Sequence, residues 1–358
     1  MAHHRWLIYG AYGFTGQLIA EEAQRRGMQP VLAGRRAEAV QELADRLDLE
    51  GRVFDLGSPE AVARQIQDFE AVLLAAGPFS QTSAPVVEAC LRTGAHYLDI
   101  TGEIGVFEAI FRLDGQARER GVVLLPGVGF DVVPTDCLAA VLKQALPSAT
   151  RLDLAFVGLS SSSKGTVKTM VEGLPHGGAI RRNGTITTVP PAFDVKEIPF
   201  PSKPRMAMTI PWGDVSTAYH STGIPNIRVY MAVPPRLVQG AKLSRPFQKL
   251  LGTPPVQHAL KRWVDKNIEG PDAHTRAVGR SEVWGRASDD TGRRVEGTLT
   301  TPEGYRLTAM TAVEAVRRLL DEPGRRGAFT PSGAFGARFI TEFEGCDLQV
   351  GPVEEGTA

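Results

Sequence analysis

Along the first 145 positions, apolar residues fall into short β-rich runs, each followed by a stretch with helical spacing. Residues 5–10 form such a run and end in glycine, and Leu18, Ile19 and Ala23 mark a helix directly after it. Residues 31–34 precede a helix through Val40 and Leu43, 52–56 one through Val62 and Ile66, and 71–76 one through Val87 and Leu91. Two more strands, 96–100 and 122–125, flank a helical stretch at 107–117, and a helix-like segment follows at 135–144. Six strands alternating with helices predict an α/β domain, a doubly wound parallel sheet buried on both faces.

The pattern changes after about residue 148. Prolines crowd the middle of the chain, 14 of the 25 lying between Pro175 and Pro271, which argues against long helices there. Residues 151–159 alternate as a strand, 185–189 follow an Asn183-Gly184 turn, and 227–233 are again β-rich. Residues 282–300 read as a hairpin about 289–292, and 308–320 as a closing helix. The expected organisation is a dinucleotide-type domain at 1–148, a second α/β domain built on a mixed sheet at 149–305, and a helical segment at 306–358 returning to the first. A chain of 358 residues is long enough for two such domains without disulfides.

Forty basic against forty acidic residues exclude a nucleic-acid binder that relies on phosphate neutralisation. Cys90, Cys137 and Cys346 lack the spacing of a zinc site or a disulfide scaffold, and the seven histidines show no metal spacing. A reducing cytoplasm and no metal are therefore expected. The apolar stretches near Leu73 and Val122 are soon broken by Gly or Pro, so neither a signal peptide nor a spanning helix is expected.

Candidate chemistry begins at the first strand–helix junction. Gly10, Gly13 and Gly16 lie where a tight turn, close approach of backbone to a pyrophosphate and close helix packing would each need a glycine. The alternative is a tight turn and nothing more. The second strand ends Ala33-Gly34-Arg35-Arg36, without the acid that would hold a ribose 2′-hydroxyl. Arg35 beside Arg36 suits a 2′-phosphate, so NADP(H) is the expected cofactor, with two solvated arginines as the alternative. Asp55 either approaches the adenine or caps a helix. Ala76, Gly77 and Pro78 end the fourth strand with small residues that leave room for a ligand, and Phe79 either packs beside the nicotinamide or fills the loop.

These features, with GAYGFTG at 10–16, LAGR at 32–35, AAGPFS at 75–80, VVEACLRTGAHYLDITGE at 86–103, GVGFDVVPTD at 127–136 and TPSGAFG at 330–336, resemble the saccharopine dehydrogenase-like oxidoreductases. The likeness is strongest to the branch that contains trans-acting enoyl reductases. It implies a Rossmann domain that binds NAD(P), with Tyr12, Phe14 and Thr15 joining the three glycines at the cofactor, and hydride-transfer chemistry. It does not supply residues that would clamp an amino-acid dicarboxylate. No tyrosine has a lysine four positions later, which sets aside the Tyr-x-x-x-Lys mechanism of short-chain dehydrogenases.

Reduction of an enoyl C=C or imine C=N also needs a proton. Asp131, in the loop after the sixth strand, is the first candidate donor, and Tyr97 the second; a helix cap is the alternative for Asp131. Asp99 and Glu103 suit binding of nearby backbone amides. Lys164, after the serines at 160–163, reads as an anion cradle or an exposed loop, and Tyr219 and His220, in a segment that reads as β-rich, as cleft residues or structural hydrogen-bonders. The expected function is an NADPH-dependent oxidoreductase acting on an apolar small-molecule or acyl substrate, working as a homo-oligomer. The competing expectation is a non-catalytic NADP(H) sensor or scaffold. Residues 242–268 carry six basic side chains against Asp265 alone, with Phe247 and Trp263 among them, and suit an acyl carrier protein, a membrane surface or a solvated lid.

Overall fold

A computed structural model describes residues 4–157 and 163–356. The chain divides into two compact units, Met1–Val133 with Tyr305–Ala334, and Pro134–Gly304 with Phe335–Ala358.

In the first unit, Trp6–Tyr9 (β1), Val31–Gly34 (β2), Gly51–Val53 (β3), Ala71–Leu74 (β4), His96–Asp99 (β5) and Val123–Leu125 (β6) form a parallel sheet. The order across it is β6-β5-β4-β1-β2-β3, and a two-residue strand, Gly327–Ala328, extends it beyond β6. Two residues carry no periodic signal, which is why only six strands are legible in the sequence. β1, β2 and β4 are buried along their whole length, since helices cover both faces. Ile8 pairs between Leu32 and Leu73, all three fully buried, and each such side chain contributes about 1.5–3 kcal/mol. Phe14–Arg25 (α1), Ala37–Leu47 (α2), Pro59–Ile66 (α3) and Phe79–Thr93 (α4) follow the first four strands. The chain runs from β1 outward through β2 to β3, then returns to place β4 on β1's other side. That reversal opens a crevice at the carboxyl ends of β1 and β4.

The second unit carries a mixed sheet in the order Val195–Pro199, Pro204–Thr209, Asn226–Ala232, Arg151–Val157, Arg280–Ser288, Arg294–Pro302, Asp347–Val350. Only the pair Arg151–Val157 with Asn226–Ala232 is parallel along this path. The strands Gly178–Arg182 and Thr185–Val189 form a side hairpin on Asn226–Ala232. The hairpin Arg280–Ser288/Arg294–Pro302 turns on Asp289, whose carboxylate accepts from Thr291 N, Thr291 Oγ1 and Arg293 N. The helix Val133–Ala145 seats Leu142 and Leu138 on this hairpin where Gly285 and Gly297 leave room; a Cβ on either would lie 2.8–2.9 Å from a leucine methyl.

Two expectations need correction here. The proline-rich middle does hold a long helix, Pro254–Asn267, because Pro254 and Pro255 occupy its first turn, where a missing N–H costs nothing. The segment around Tyr219 and His220 is helical, Asp214–Thr222, and not β-rich. The last strand, Asp347–Val350, pairs with Arg294–Pro302 within the second unit. Among the described residues, no helix is long and apolar enough to cross a membrane.

Candidate active site

The first turn is built by backbone contacts that exclude side chains. Gly10 has φ +86°, and a Cβ there would sit 2.7 Å from the backbone nitrogen of Ala76 at the end of β4. Its N–H donates to the Ala33 carbonyl at 2.8 Å, tying the turn to β2. A Cβ on Gly16 would collide with the Gly10 carbonyl and lie 2.9 Å from Ala11 Cα, so α1 closes on the turn only with glycine there. Gly13, at an ordinary φ of −70°, precedes α1 and, being a glycine, brings no capping side chain of its own. The start of such a helix favours an anion, because its first N–H groups have no intrahelical partner and the helix dipole favours negative charge there. Phe14 packs edge-on against Tyr305, ring centroids 5.0 Å apart.

At the end of β2, Arg35 and Arg36 are both exposed, but their surroundings differ. The Arg36 guanidinium stacks 4.5 Å from the centre of the Tyr12 ring, which fills the space a side chain on Gly34 would need. Arg35 makes no ion pair among the described residues. Beside it, the Tyr9 hydroxyl donates to the Phe54 carbonyl at 3.0 Å, and burial first, then Tyr12 and Asp55, push its pKa up to about 12. Asp55 is exposed and accepts from Gly57 N at 2.9 Å; the cap of α3 is Ser58, which accepts from Ala61 N.

At the end of β4, the carbonyl of Ala76 accepts from Thr82 Oγ1 at 2.6 Å, Pro78 stands at the start of α4, and Gly77 is exposed. The N-terminus of α4 is already occupied: Glu103 accepts from Phe79 N at 2.7 Å and from Ser80 N at 3.0 Å. These residues fit a dinucleotide, whose pyrophosphate would take the start of α1 and whose 2′-phosphate would face Arg35.

The third part of the edge joins β5 to the loop after β6. Tyr97 is fully buried, and its hydroxyl donates to Asp99 Oδ2 at 2.7 Å. Asp99 is also fully buried; its Oδ1 accepts from Thr101 N at 3.0 Å and Gly127 N at 2.8 Å. Burial pushes its pKa up to about 6 against the pull of those hydrogen bonds. The loop is held again by Val128 N donating to the Asp99 carbonyl, by Thr311 Oγ1 donating to the Val128 carbonyl at 2.7 Å, and by Phe130 N donating to Thr308 Oγ1 at 2.9 Å. Thr308 and Thr311 sit on the helix Gly304–Asp321, and sequence reasoning missed them. Their only signal is two threonines within an apolar helical stripe. At the end of this loop Asp131 is half-buried, with its carboxyl pushed up to about 7 by desolvation. Gly102 makes room for it, since a Cβ there would lie 2.9 Å from Asp131 Oδ2.

The remaining sequence candidates lie in the second unit. Lys164 begins a helix, Lys164–Gly173, capped by Ser163; Ser160–Ser162 lie outside the described residues. Tyr219 stacks on the Arg181 guanidinium at 4.3 Å and meets the His220 ring edge-on. No group of three metal-ligating side chains occurs among the described residues.

A parallel sheet with a glycine turn between its first strand and first helix, at the topological switch point, defines a dinucleotide-binding protein. Residues 6–125 match the family model of the saccharopine dehydrogenase NADP-binding domain. Over this first unit the chain is therefore similar to the NADP-binding domain of the saccharopine dehydrogenases. It is 26% identical over 179 residues to the human saccharopine dehydrogenase-like oxidoreductase, covering 44% of this chain and 42% of that one. It is 32% identical over 138 residues to a trans-acting enoyl reductase of Mycobacterium leprae (strain TN), covering 36% and 33%. The matched part spans less than half the length of either relative. The fold is that of saccharopine dehydrogenase (L-Glu forming) from Saccharomyces cerevisiae, with a TM-score of 0.64 at 12% identity, covering 97% of this chain and 100% of that one.

Proposed function

We propose that the protein is an NADPH-dependent oxidoreductase that reduces an enoyl C=C or imine C=N in an apolar small-molecule or acyl substrate. The bound cofactor would supply the hydride. The observation that carries the proton-transfer part is Asp131, a carboxyl raised to about 7 at the carboxyl edge of the dinucleotide-binding sheet. A carboxyl with that pKa is partly protonated at neutral pH and suited to general acid work. On this reading Asp131 gives its proton to the carbon or nitrogen next to the one that accepts hydride, and recovers it from solvent. Tyr97 acts as a positioning residue: its hydroxyl holds Asp99, and Asp99 holds Gly127 and Val128 of the Asp131 loop. The relatives named enoyl reductases favour the C=C arm.

The test is oxidation of NADPH, followed at the nicotinamide absorbance, with 2-enoyl thioesters and cyclic imines. We expect turnover that declines as pH rises through about 7, because the protonated carboxyl is the donor. Asp131→Asn should lower turnover by about 100-fold or more and leave NADPH affinity unchanged. Tight NADPH binding without oxidation on either substrate class would instead favour a sensor, and a near-normal rate in folded Asp131→Asn would remove the acid role.

A further inference from the structure

Part of the second unit presents a surface that the cofactor reading does not use. Between residues 235 and 267 the chain forms the helices Pro235–Leu243, Gln248–Leu251 and Pro254–Asn267, with a short 3-10 turn at Arg245–Phe247. Of the twelve large apolar side chains that are exposed among the described residues, five fall here: Leu237, Leu243, Phe247, Leu250 and Trp263. Leu243 is 73% exposed and Trp263 56%, and exposed apolar side chains gathered in one segment, unlike ones scattered singly, mark an interaction surface. The segment is seated by its other side. Val238 and Val264 are buried, the Arg245 guanidinium donates to the carbonyls of Pro191 and Ala192, and Lys261 pairs with Glu172 at 2.6 Å.

The charge around these apolar groups has one sign. Residues 235–267 hold seven basic side chains and a single acid, Asp265, which Lys168 holds at 2.6 Å, although the whole chain is neutral. Arg236, Lys242, Lys249, Arg262 and Lys266 form no ion pair among the described residues. We propose that this surface docks on an anionic lipid bilayer, lying in the headgroup region and not crossing it. Exposed leucines, phenylalanine and tryptophan supply the apolar contact, tryptophan at the depth it favours, while long basic side chains reach the headgroup phosphates. A second copy of the chain fits the surface poorly, because a two-fold contact would set the same unpaired cations against one another. Three of the five unpaired cations are lysine, the residue that protein interfaces deplete.

The test uses the full chain and sedimenting vesicles of phosphatidylcholine alone or with ~30% phosphatidylserine at about 0.1 M salt. We expect co-sedimentation with the anionic vesicles, at least about 10-fold weaker binding to neutral ones, and release at about 0.5 M salt. Trp263 reports contact directly, since Trp6 and Trp284 are buried and Trp212 is half-buried. Its emission should move to the blue on binding. Phe247→Ser with Trp263→Ser should lower vesicle binding by about 10-fold or more with an unchanged circular dichroism spectrum. No co-sedimentation and no emission shift would overturn the proposal. So would binding that the paired serine variant leaves intact, or binding of an acidic carrier protein or self-association without any binding to vesicles.

Discussion

Two loops at the carboxyl edge of the first sheet are made in opposite ways. The turn at 10–16 is compact: its shape follows from where a Cβ cannot fit, and its main constraints come from Ala11 within it and from Ala33 and Ala76 at the ends of β2 and β4. The loop at 127–131 is assembled from a distance. Asp99 holds its start, and Thr308 and Thr311, about 180 residues further along the chain, hold its middle. On the proposed reading the first loop serves a phosphate by leading into the N-terminus of α1, where the helix dipole favours an anion. The second carries a carboxyl that desolvation raises to about 7, on a backbone that a network of buried side chains holds in place. Substitutions should therefore act differently at the two places: in the turn they should cost ligand affinity, and in the loop they should first cost stability.

The largest effect should follow loss of the hub of the second loop. Asp99→Ala leaves the N–H groups of Thr101 and Gly127 and the Tyr97 hydroxyl without their acceptor, and we expect a loss of roughly 3–5 kcal/mol in denaturant unfolding. The pH dependence has a definite sign. Because the folded value of Asp99 is raised to about 6 from 3.8, the folded chain holds this proton more tightly than the unfolded one. Its contribution is fully present below about pH 4 and is lost as pH rises through about 6, so Asp99→Asn should flatten the stability curve across that window.

Gly13→Val tests the first loop. Gly13 sits at φ −70°, with a single close neighbour, the Gly10 carbonyl, 3.2 Å from an added Cβ. The chain should fold with little change in melting temperature, while calorimetry should show NADPH affinity reduced by about 100-fold or more, because the side chain enters the phosphate space. Wild-type affinity in the folded variant would end the phosphate role of this turn. Arg35→Ala should come next, weakening NADPH by about 1.5–3 kcal/mol and NADH hardly at all, since only NADPH carries the 2′-phosphate. An equal loss for both cofactors would point to Arg36 or to neither arginine. The smallest change should be Thr308→Val, which removes the acceptor of Phe130 N and should cost about 1–2 kcal/mol of stability. A stability equal to wild type would show that the closing helix does not support the loop.

The same contrast explains what was legible in the sequence. β1, β2 and β4 announce themselves because strands buried on both faces need unbroken apolar runs, and the glycine turn because tight backbone approach admits one residue type. Asp131 is visible from its place in the chain, but nothing local reveals that Thr308 and Thr311 hold its loop, or that Tyr97 spends its hydroxyl on Asp99 inside the core. In the second unit, Val195–Pro199 and Pro204–Thr209 pair with each other at the sheet's edge. Their prolines resemble those of a loop because an edge strand can lack a donor without harm. Pro254 and Pro255 mislead in the same way, marking the start of a helix where their number suggested its absence.

The central claim is that this chain passes hydride from NADPH to an unsaturated substrate. Its most direct test is incubation of the full chain with NADPH deuterated at C4 of the nicotinamide, together with a 2-enoyl thioester or a cyclic imine, and mass spectrometry of the product. The account predicts one deuterium on the carbon that accepts hydride, and its near-complete loss in Asp131→Asn while NADPH binding persists. Tight NADPH binding with no deuterium in any product would contradict it.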